Sequence, residues 1–169
     1  VKNVIITDKN SYLILKKRFK KINISNDIGK IDKFIPSRLD YVMSSISGFN
    51  GLKPTIRVIK KTKIIAIANK ESIICGWNLI NKELKKYNTK FIPVDSEHFS
   101  IWSVIKNVKK HDINEIIITA SGGPFFNLKN KSIKKTPKLA TNHPNWKMGK
   151  KISIDSATLM NKVFEVIEA

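Results

Sequence analysis

The chain has 169 residues and carries 32 Lys and Arg against 13 Asp and Glu, a formal net charge of +19. Its 41% hydrophobic content is enough for a core and excludes a disordered polyelectrolyte. A single cysteine, Cys75, excludes a disulfide framework and a multi-cysteine zinc site. No apolar run approaches the roughly 18 residues of a membrane span, and the first residues lack the apolar stretch of a secretory signal. A soluble α/β chain with no membrane partner is expected.

Almost all of the positive charge is lysine, and only Arg18, Arg38 and Arg57 are arginine. The lysines are spread along the chain in short runs that follow apolar stretches, as on solvated helix faces and turns. A nucleic-acid site clusters its charge and favours Arg for bidentate contacts, so no nucleic-acid partner is expected. A Lys-rich nucleic-acid-binding module remains the alternative class. Anionic small molecules are attracted in either case.

In chain order, Val4–Ile6 reads as a strand and residues 9–21 as an amphipathic helix. Asp40–Ile46 is a second strand, and Gly51–Ile59 a helix with Pro54 in its first turn. Lys63–Ala68 is a fully apolar strand. Ser72–Lys86 is a helix that buries Ile73, Ile74, Trp77, Leu79, Ile80 and Leu84, with Cys75 as a small buried residue. Phe91–Val94 reads as a strand, Phe99–Val108 as a helix and Ile116–Thr119 as a strand. Near-continuous apolar strands separated by helices imply a parallel sheet covered on both faces. From Ser121 to Lys151 the periodicity fails, and so long a loop is commonly a lid or binding loop. Ala157–Ala169 closes the chain as a helix capped by Asp155 or Ser156. The chain starts without Met and stops in mid-helix, so both ends read as cut.

Polar segments stand where parallel sheets place ligands, beyond the C-terminal ends of strands. They are Asn69-Lys70-Glu71-Ser72, Asp95-Ser96-Glu97-His98, Ser121-Gly122-Gly123 and Asp155-Ser156. Asp95 and Glu97, two apart in an extended backbone, project to one side. Asn161, Glu165 and Glu168 share a helix face by i, i+4, i+7 spacing. Asp95, Glu97 and one helical carboxylate make an all-oxygen set suited to Mg²⁺ or Mn²⁺; the alternative is a solvated helix cap and an acidic surface. Ser121 with its glycines, Ser156 at a helix N-terminus, Asn161 and Lys162 form a candidate phosphate site, the alternative being turn glycines, a cap and a surface lysine. Trp146, within His143-Pro144-Asn145-Trp146, is either a lid aromatic that excludes water or a loop anchor packed in the core.

Together the segments ANKES (68–72), PVDSEH (93–98), ASGGPF (120–125), HPNWKMGKKISIDSATLMNK (143–162) and EVIEA (165–169) closely resemble the 1-deoxy-D-xylulose 5-phosphate reductoisomerase family. The resemblance implies the C-terminal part of a Rossmann-like NADPH-binding domain over residues 1–94. It implies the N-terminal part of an α/β catalytic domain over 95–169, with a lid loop at about 121–151. It implies Asp95, Glu97 and Glu165 as ligands of Mg²⁺ or Mn²⁺ (or Co²⁺), favouring Glu165 over Glu168. Lys70, Ser96, Glu97 and His143 are implied substrate contacts, with Lys70, Glu97 and His143 taken as catalytic. Ser121, Ser156, Asn161 and Lys162 are the implied phosphate pocket, Trp146 the lid aromatic, and Asn69, Glu71 and Gly149 the cofactor contacts.

The reaction so implied is the NADPH-dependent, metal-assisted conversion of 1-deoxy-D-xylulose 5-phosphate to 2-C-methyl-D-erythritol 4-phosphate in the non-mevalonate isoprenoid pathway. In the family the skeleton rearranges by retro-aldol cleavage and re-addition before hydride delivery. A homodimer is implied, in the cytoplasm or, for a plastid-bearing source, in the plastid. The Gly-rich pyrophosphate turn of the family has no counterpart after Val4–Ile6, and Val163-Phe164 replaces a common Gly-Leu pair. The chain is therefore expected to be an internal fragment without turnover of its own. A metal-dependent sugar-phosphate enzyme that works without NADPH is the second rival.

Overall fold

The computed structural model describes residues 1–126 and 134–169, and the chain divides into two compact units, Val1–Asp95 and Ser96–Ala169. In the first unit, β1 (Asn3–Ile5) pairs in parallel with β2 (Asn23–Ser25) across α1 (Lys9–Arg18). The Asp8 carboxylate caps α1 by accepting from the Ser11 N–H at 2.8 Å. A short α2 (Ile31–Phe34) leads to β3 (Leu39–Ser44). Then follow α3 (Leu52–Ile59), β4 (Thr62–Ile67), α4 (Lys70–Tyr87) and β5 (Lys90–Pro93). The strands form an all-parallel sheet in the order β3-β4-β5, with Val42 opposite Ile65 and Ile65 opposite Phe91. The core is Leu52, Val58, Ile59, Ile65, Ile67, Ile73, Ile80 and Leu84, contributed by α3, β4 and α4.

The apolar run of β4 gives the central strand because a strand flanked on both sides has few faces left for water. Its neighbour β3 departs from the expected cover on both faces: Val42 packs against the core, whereas Tyr41 and Met43 are half exposed. Helix α4 buries Ile73, Ile80 and Leu84 as one stripe. Cys75, Trp77 and Leu79 lie off that stripe and are exposed, which corrects the expectation that they pack inside. The helix is kinked at Gly76, whose backbone closes against Leu52 so that a Cβ there would meet Leu52 Cδ2 at 3.0 Å.

The second unit begins with α5 (Ser96–Ile105). Ile116–Thr119 is not a strand: no ladder forms there among the described residues, and Ile117 is 72% exposed. A β-branched run favours extension but becomes a strand only with a partner. The expected lid loop, about 121–151, falls in part on residues 127–133, outside the described residues; the remainder holds a short α6 (Pro137–Ala140). Two helices then replace the single one expected, α7 (Lys150–Ala157) and α8 (Met160–Glu168). They break at Leu159, which takes a left-handed conformation (φ 61°) and makes no side-chain cap. Asp155 and Ser156 therefore lie inside α7 and cap nothing, which corrects their placement at a helix N-terminus.

Candidate functional site

Each unit brings some of these residues together. In the first, Lys70 opens α4 and its ammonium pairs with the Asp95 carboxylate at 2.8 Å, both side chains being largely buried. The Asn69 side chain is committed to the fold. Its Oδ1 accepts from the Ser72 N–H at 2.8 Å as the cap of α4, and its Nδ2 donates to the carbonyls of Gly48 (2.8 Å) and Ile46. Glu71 follows in the first turn of α4.

In the second unit the chain returns α8 beside the start of α5. The Lys162 ammonium donates to Glu97 and, at 2.8 Å, to Glu165. Asn161 Nδ2 donates to the other Glu165 oxygen, and Ser96 Oγ donates to Glu97 at 2.5 Å. The i, i+4 relation of Asn161 and Glu165 is thus realised as a side-chain hydrogen bond. Glu165 is completely buried, a placement that a carboxylate tolerates only with such partners.

Burial raises the Glu97 carboxyl, but hydrogen bonds from Lys162, Ser96 and its own backbone N–H, with the nearby Lys162 charge, outweigh it and hold the group down at about 2. Burial likewise works against the Lys162 charge, and the hydrogen bonds to Glu165 and Glu97 overcome it and raise the ammonium. Glu97 also sits in the first turn of α5, where the helix dipole favours a negative group. The expectation that Asp95 and Glu97 lie on one extended stretch is corrected, since Glu97 is already helical. A cleft of about 210 Å³ opens beside it, lined by Ser96, Glu97, Ser100, Ile101 and the Ile117–Thr119 segment. That segment, read from sequence as a strand, forms a wall of the cleft instead.

A separate group forms around His143, which is buried. Its Nδ1 accepts from the N–H groups of Asn145 and Trp146, both at 3.2 Å, and its Nε2 lies 3.0 Å from Ser121 Oγ. Ser121 Oγ is 3.4 Å from Ser156 Oγ. Gly123 makes this approach possible: its φ is +64°, and a Cβ there would stand 2.9 Å from the Ser156 carbonyl oxygen. The four residues expected to bind phosphate thus divide, Ser121 and Ser156 with His143, and Asn161 and Lys162 with the carboxylates. The Trp146 ring is 64% exposed, so it is not a core anchor. Gly149 precedes α7, with open space where a Cβ would stand.

One pair went without a role in the sequence. His98 Nδ1 lies 3.6 Å from Glu168 Oε2, and both side chains are largely buried. The signal was present in the shared helix face of Asn161, Glu165 and Glu168 and in the position of His98 beside Glu97.

Parallel strands crossed by helices, followed by a unit that gathers carboxylates around an ammonium and hydroxyls around a histidine, define the chain as an α/β protein. Residues 1–76 match the family 1-deoxy-D-xylulose 5-phosphate reductoisomerase, and residues 91–169 match its C-terminal domain. A 1-deoxy-D-xylulose 5-phosphate reductoisomerase from Pelagibacter ubique is 61% identical over 174 residues, covering 100% of this chain and 45% of the relative. A crystal structure of DOX-P reductoisomerase with NADPH, fosmidomycin and magnesium superposes with a TM-score of 0.80 at 36% identity, covering 99% of this chain and 45% of that one. The Zymomonas mobilis enzyme in complex with NADPH gives 0.78 at 35% identity, covering 99% and 44%. The chain belongs to the 1-deoxy-D-xylulose 5-phosphate reductoisomerase family. It spans about 45% of the length of the relatives it matches. No described helix is long and apolar enough to cross a membrane.

Proposed function

We propose that this chain supplies part of an enzyme that converts 1-deoxy-D-xylulose 5-phosphate to 2-C-methyl-D-erythritol 4-phosphate with NADPH and a divalent cation. Residues 1–94 belong to its cofactor-binding domain, and residues 95–169 to its catalytic domain with a lid at about 121–151. The observation that carries the reading is the convergence of Glu97 and Glu165 on one ammonium, Lys162, across 65 residues of sequence. Two carboxylates around a single positive charge leave a net negative, all-oxygen donor set, which is what Mg²⁺ and Mn²⁺ take. Asp95, Glu97 and Glu165 are the proposed ligands. When bound, the cation supplies Lewis-acid polarisation of the ketose oxygens and NADPH supplies the hydride.

The chain's own residues bind and orient. Ser121, Ser156, Asn161 and Lys162 hold the substrate phosphate, a non-reacting anchor that converts binding energy into orientation. Lys70, Ser96 and Glu97 meet the reacting end. Asn69, Glu71 and Gly149 contact the cofactor; the Asn69 side chain is spent on capping α4, so its part is played through the backbone it fixes. Trp146 closes over the ligand and excludes water. The proposed assembly is a homodimer, and the proposed setting the cytoplasm, or the plastid of a plastid-bearing source.

The test is consumption of NADPH by the intact protein with 1-deoxy-D-xylulose 5-phosphate and Mg²⁺ or Mn²⁺. Turnover that requires all three components supports the reading. Product formed without NADPH would place the protein among metal-dependent sugar-phosphate enzymes instead.

A further inference from the structure

We propose that Leu159 is a positioning residue: its left-handed backbone reverses the chain between α7 and α8 and so delivers Lys162 to Glu97 and Glu165. The functional side of the inference rests on the role proposed above for those two carboxylates.

Nothing in the local sequence calls for a break. Residues 150–168 contain neither Gly nor Pro, so one continuous helix is the default. In such a helix Lys151 and Phe164 would stand roughly 20 Å apart along the axis, farther than the two side chains bridge. Lys151 Nζ instead lies 5.2 Å from the centre of the Phe164 ring, so α8 folds back beside α7.

The reversal is made at one residue. Thr158 ends α7, with its N–H donating to the Ile154 carbonyl at 3.0 Å and its Oγ1 donating to the same carbonyl at 2.9 Å. The Leu159 N–H reaches back to the Ser156 carbonyl at 3.3 Å. The Leu159 carbonyl accepts from the N–H groups of Lys162 at 3.0 Å and Val163 at 3.2 Å. Leu159 thus closes one helix with its donor and opens the next with its acceptor, at φ 61° and ψ 9°.

That conformation is disfavoured roughly five- to thirtyfold for a residue with a Cβ. The leucine side chain offers no compensation, being half exposed and making no cap. What the turn yields lies just beyond it. The Lys162 ammonium donates to Glu97 and, at 2.8 Å, to Glu165, and Asn161 donates to the other Glu165 oxygen. Strain kept beside a convergent polar group marks a place where geometry outweighs local relaxation.

The backbone and the side chain of Leu159 can be separated by substitution. Gly and Asn enter the left-handed region readily, whereas a β-branched residue does not. If the turn is what matters, Gly and Asn replace leucine and Ile fails. If the apolar side chain is what matters, the ranking inverts.

The test is the series Leu159→Gly, Leu159→Asn and Leu159→Ile in the intact protein. Mn²⁺ affinity, KM for the sugar phosphate and the nuclear Overhauser contact between Lys151 and the Phe164 ring are measured for each. Leu159→Gly and Leu159→Asn are expected to stay within about threefold of the parent and to keep the contact. Leu159→Ile is expected to lose about tenfold or more in Mn²⁺ affinity, to raise KM and to weaken the contact. The inverse ranking overturns the proposal, and so do three variants that behave alike. Backbone carbon-13 shifts of the labelled parent are expected to report a positive φ at Leu159, a readout that stands even if Leu159→Ile fails to fold. A negative φ there overturns the proposal. If the parent binds no Mn²⁺, the metal reading fails, and the Lys151–Phe164 contact across the series still decides whether Leu159 sets the turn.

Discussion

The two units bury different chemistry. In Val1–Asp95 the completely buried side chains include Ile59, Ile65, Ile67 and Ile80, an apolar core between helices and sheet. In Ser96–Ala169 the buried residues include His143, Ser153 and Glu165, with Ala140 the one buried hydrophobic among the described residues. The first unit is held by the removal of apolar area from water, a non-directional force that depends on volume and pattern. The second is held at its centre by directional bonds that each need a named partner, Glu165 with Lys162 and Asn161, and His143 with Ser121 and two backbone amides. Buried polar groups are costly unless satisfied, and a satisfied network inside a fold fixes its members for chemistry. The contrast is between an apolar core in the first unit, with its proposed contacts Lys70 and Asp95 near the start of α4 and after β5, and a polar centre in the second.

The largest expected effect tests the first half of that contrast. Ile65 is completely buried in β4 between Val42 and Phe91. Ile65→Ala is expected to cost about 2–5 kcal/mol of stability, the loss of transferred area plus a cavity. The check is the denaturant midpoint of the variant against its parent. A cost below about 1 kcal/mol would mean that the core of the first unit relaxes around the change and is not packed as described.

Glu165→Gln addresses the second half. The amide keeps the size but removes the charge that Lys162 meets at 2.8 Å, and since its NH2 cannot accept, one of the two contacts from Lys162 and Asn161 is lost as well. A charged hydrogen bond contributes about 1.5–3 kcal/mol, and the affinity of the intact protein for Mn²⁺ is expected to fall by roughly ten- to a hundredfold. Titration of Mn²⁺ by its paramagnetic signal measures this. Unchanged affinity would remove Glu165 as a proposed ligand and leave its contacts with Lys162 and Asn161 as purely structural.

The same contrast decides what could be read from sequence. The helix and strand of α4 and β4 were legible because a continuous apolar run and a 3.6-residue stripe record burial locally. The outward placement of Cys75, Trp77 and Leu79 was not, since composition shows that a helix is apolar without showing where its stripe runs. Ile116–Thr119 was misread because its pairing depends on a neighbour that sequence does not name. The break at Leu159 carries no Gly or Pro to announce it, and leucine with positive φ is rare. In the site, carboxylates, hydroxyls and lysine were all identified as residues. Their division into one group around Lys162 and another around His143 was hidden, because it depends on which side chains meet across distant segments.

A pH dependence follows from the Glu97 carboxyl, which the fold holds at about 2 against an ordinary value of 4.5. A group depressed in the folded state stabilises it at pH values above the ordinary one. That stabilisation is lost as pH falls from about 4.5 toward 2, because protonation then breaks the contact with Lys162. Denaturant midpoints measured across this window are expected to fall more steeply for the parent than for Glu97→Gln. Parallel curves would show that Glu97 does not draw its low value from the folded network.

The smallest expected effect on stability carries a specific expectation for function. Trp146 has its backbone N–H fixed by His143 while its ring is 64% exposed. An aromatic packed in a core costs about 3–5 kcal/mol when cut to alanine, whereas an exposed residue away from caps and networks costs within about 0.5 kcal/mol. Trp146→Ala is therefore expected to leave the unfolding midpoint nearly unchanged while raising KM for the sugar phosphate in the intact protein. The role proposed for the indole is to cover a ligand, and the backbone anchor at His143 does not depend on the side chain that the substitution removes. A large drop in stability would make Trp146 a structural anchor after all. An unchanged KM with unchanged stability would leave the ring no part in ligand closure, and the buried bonds around His143 would then be the working portion of the segment.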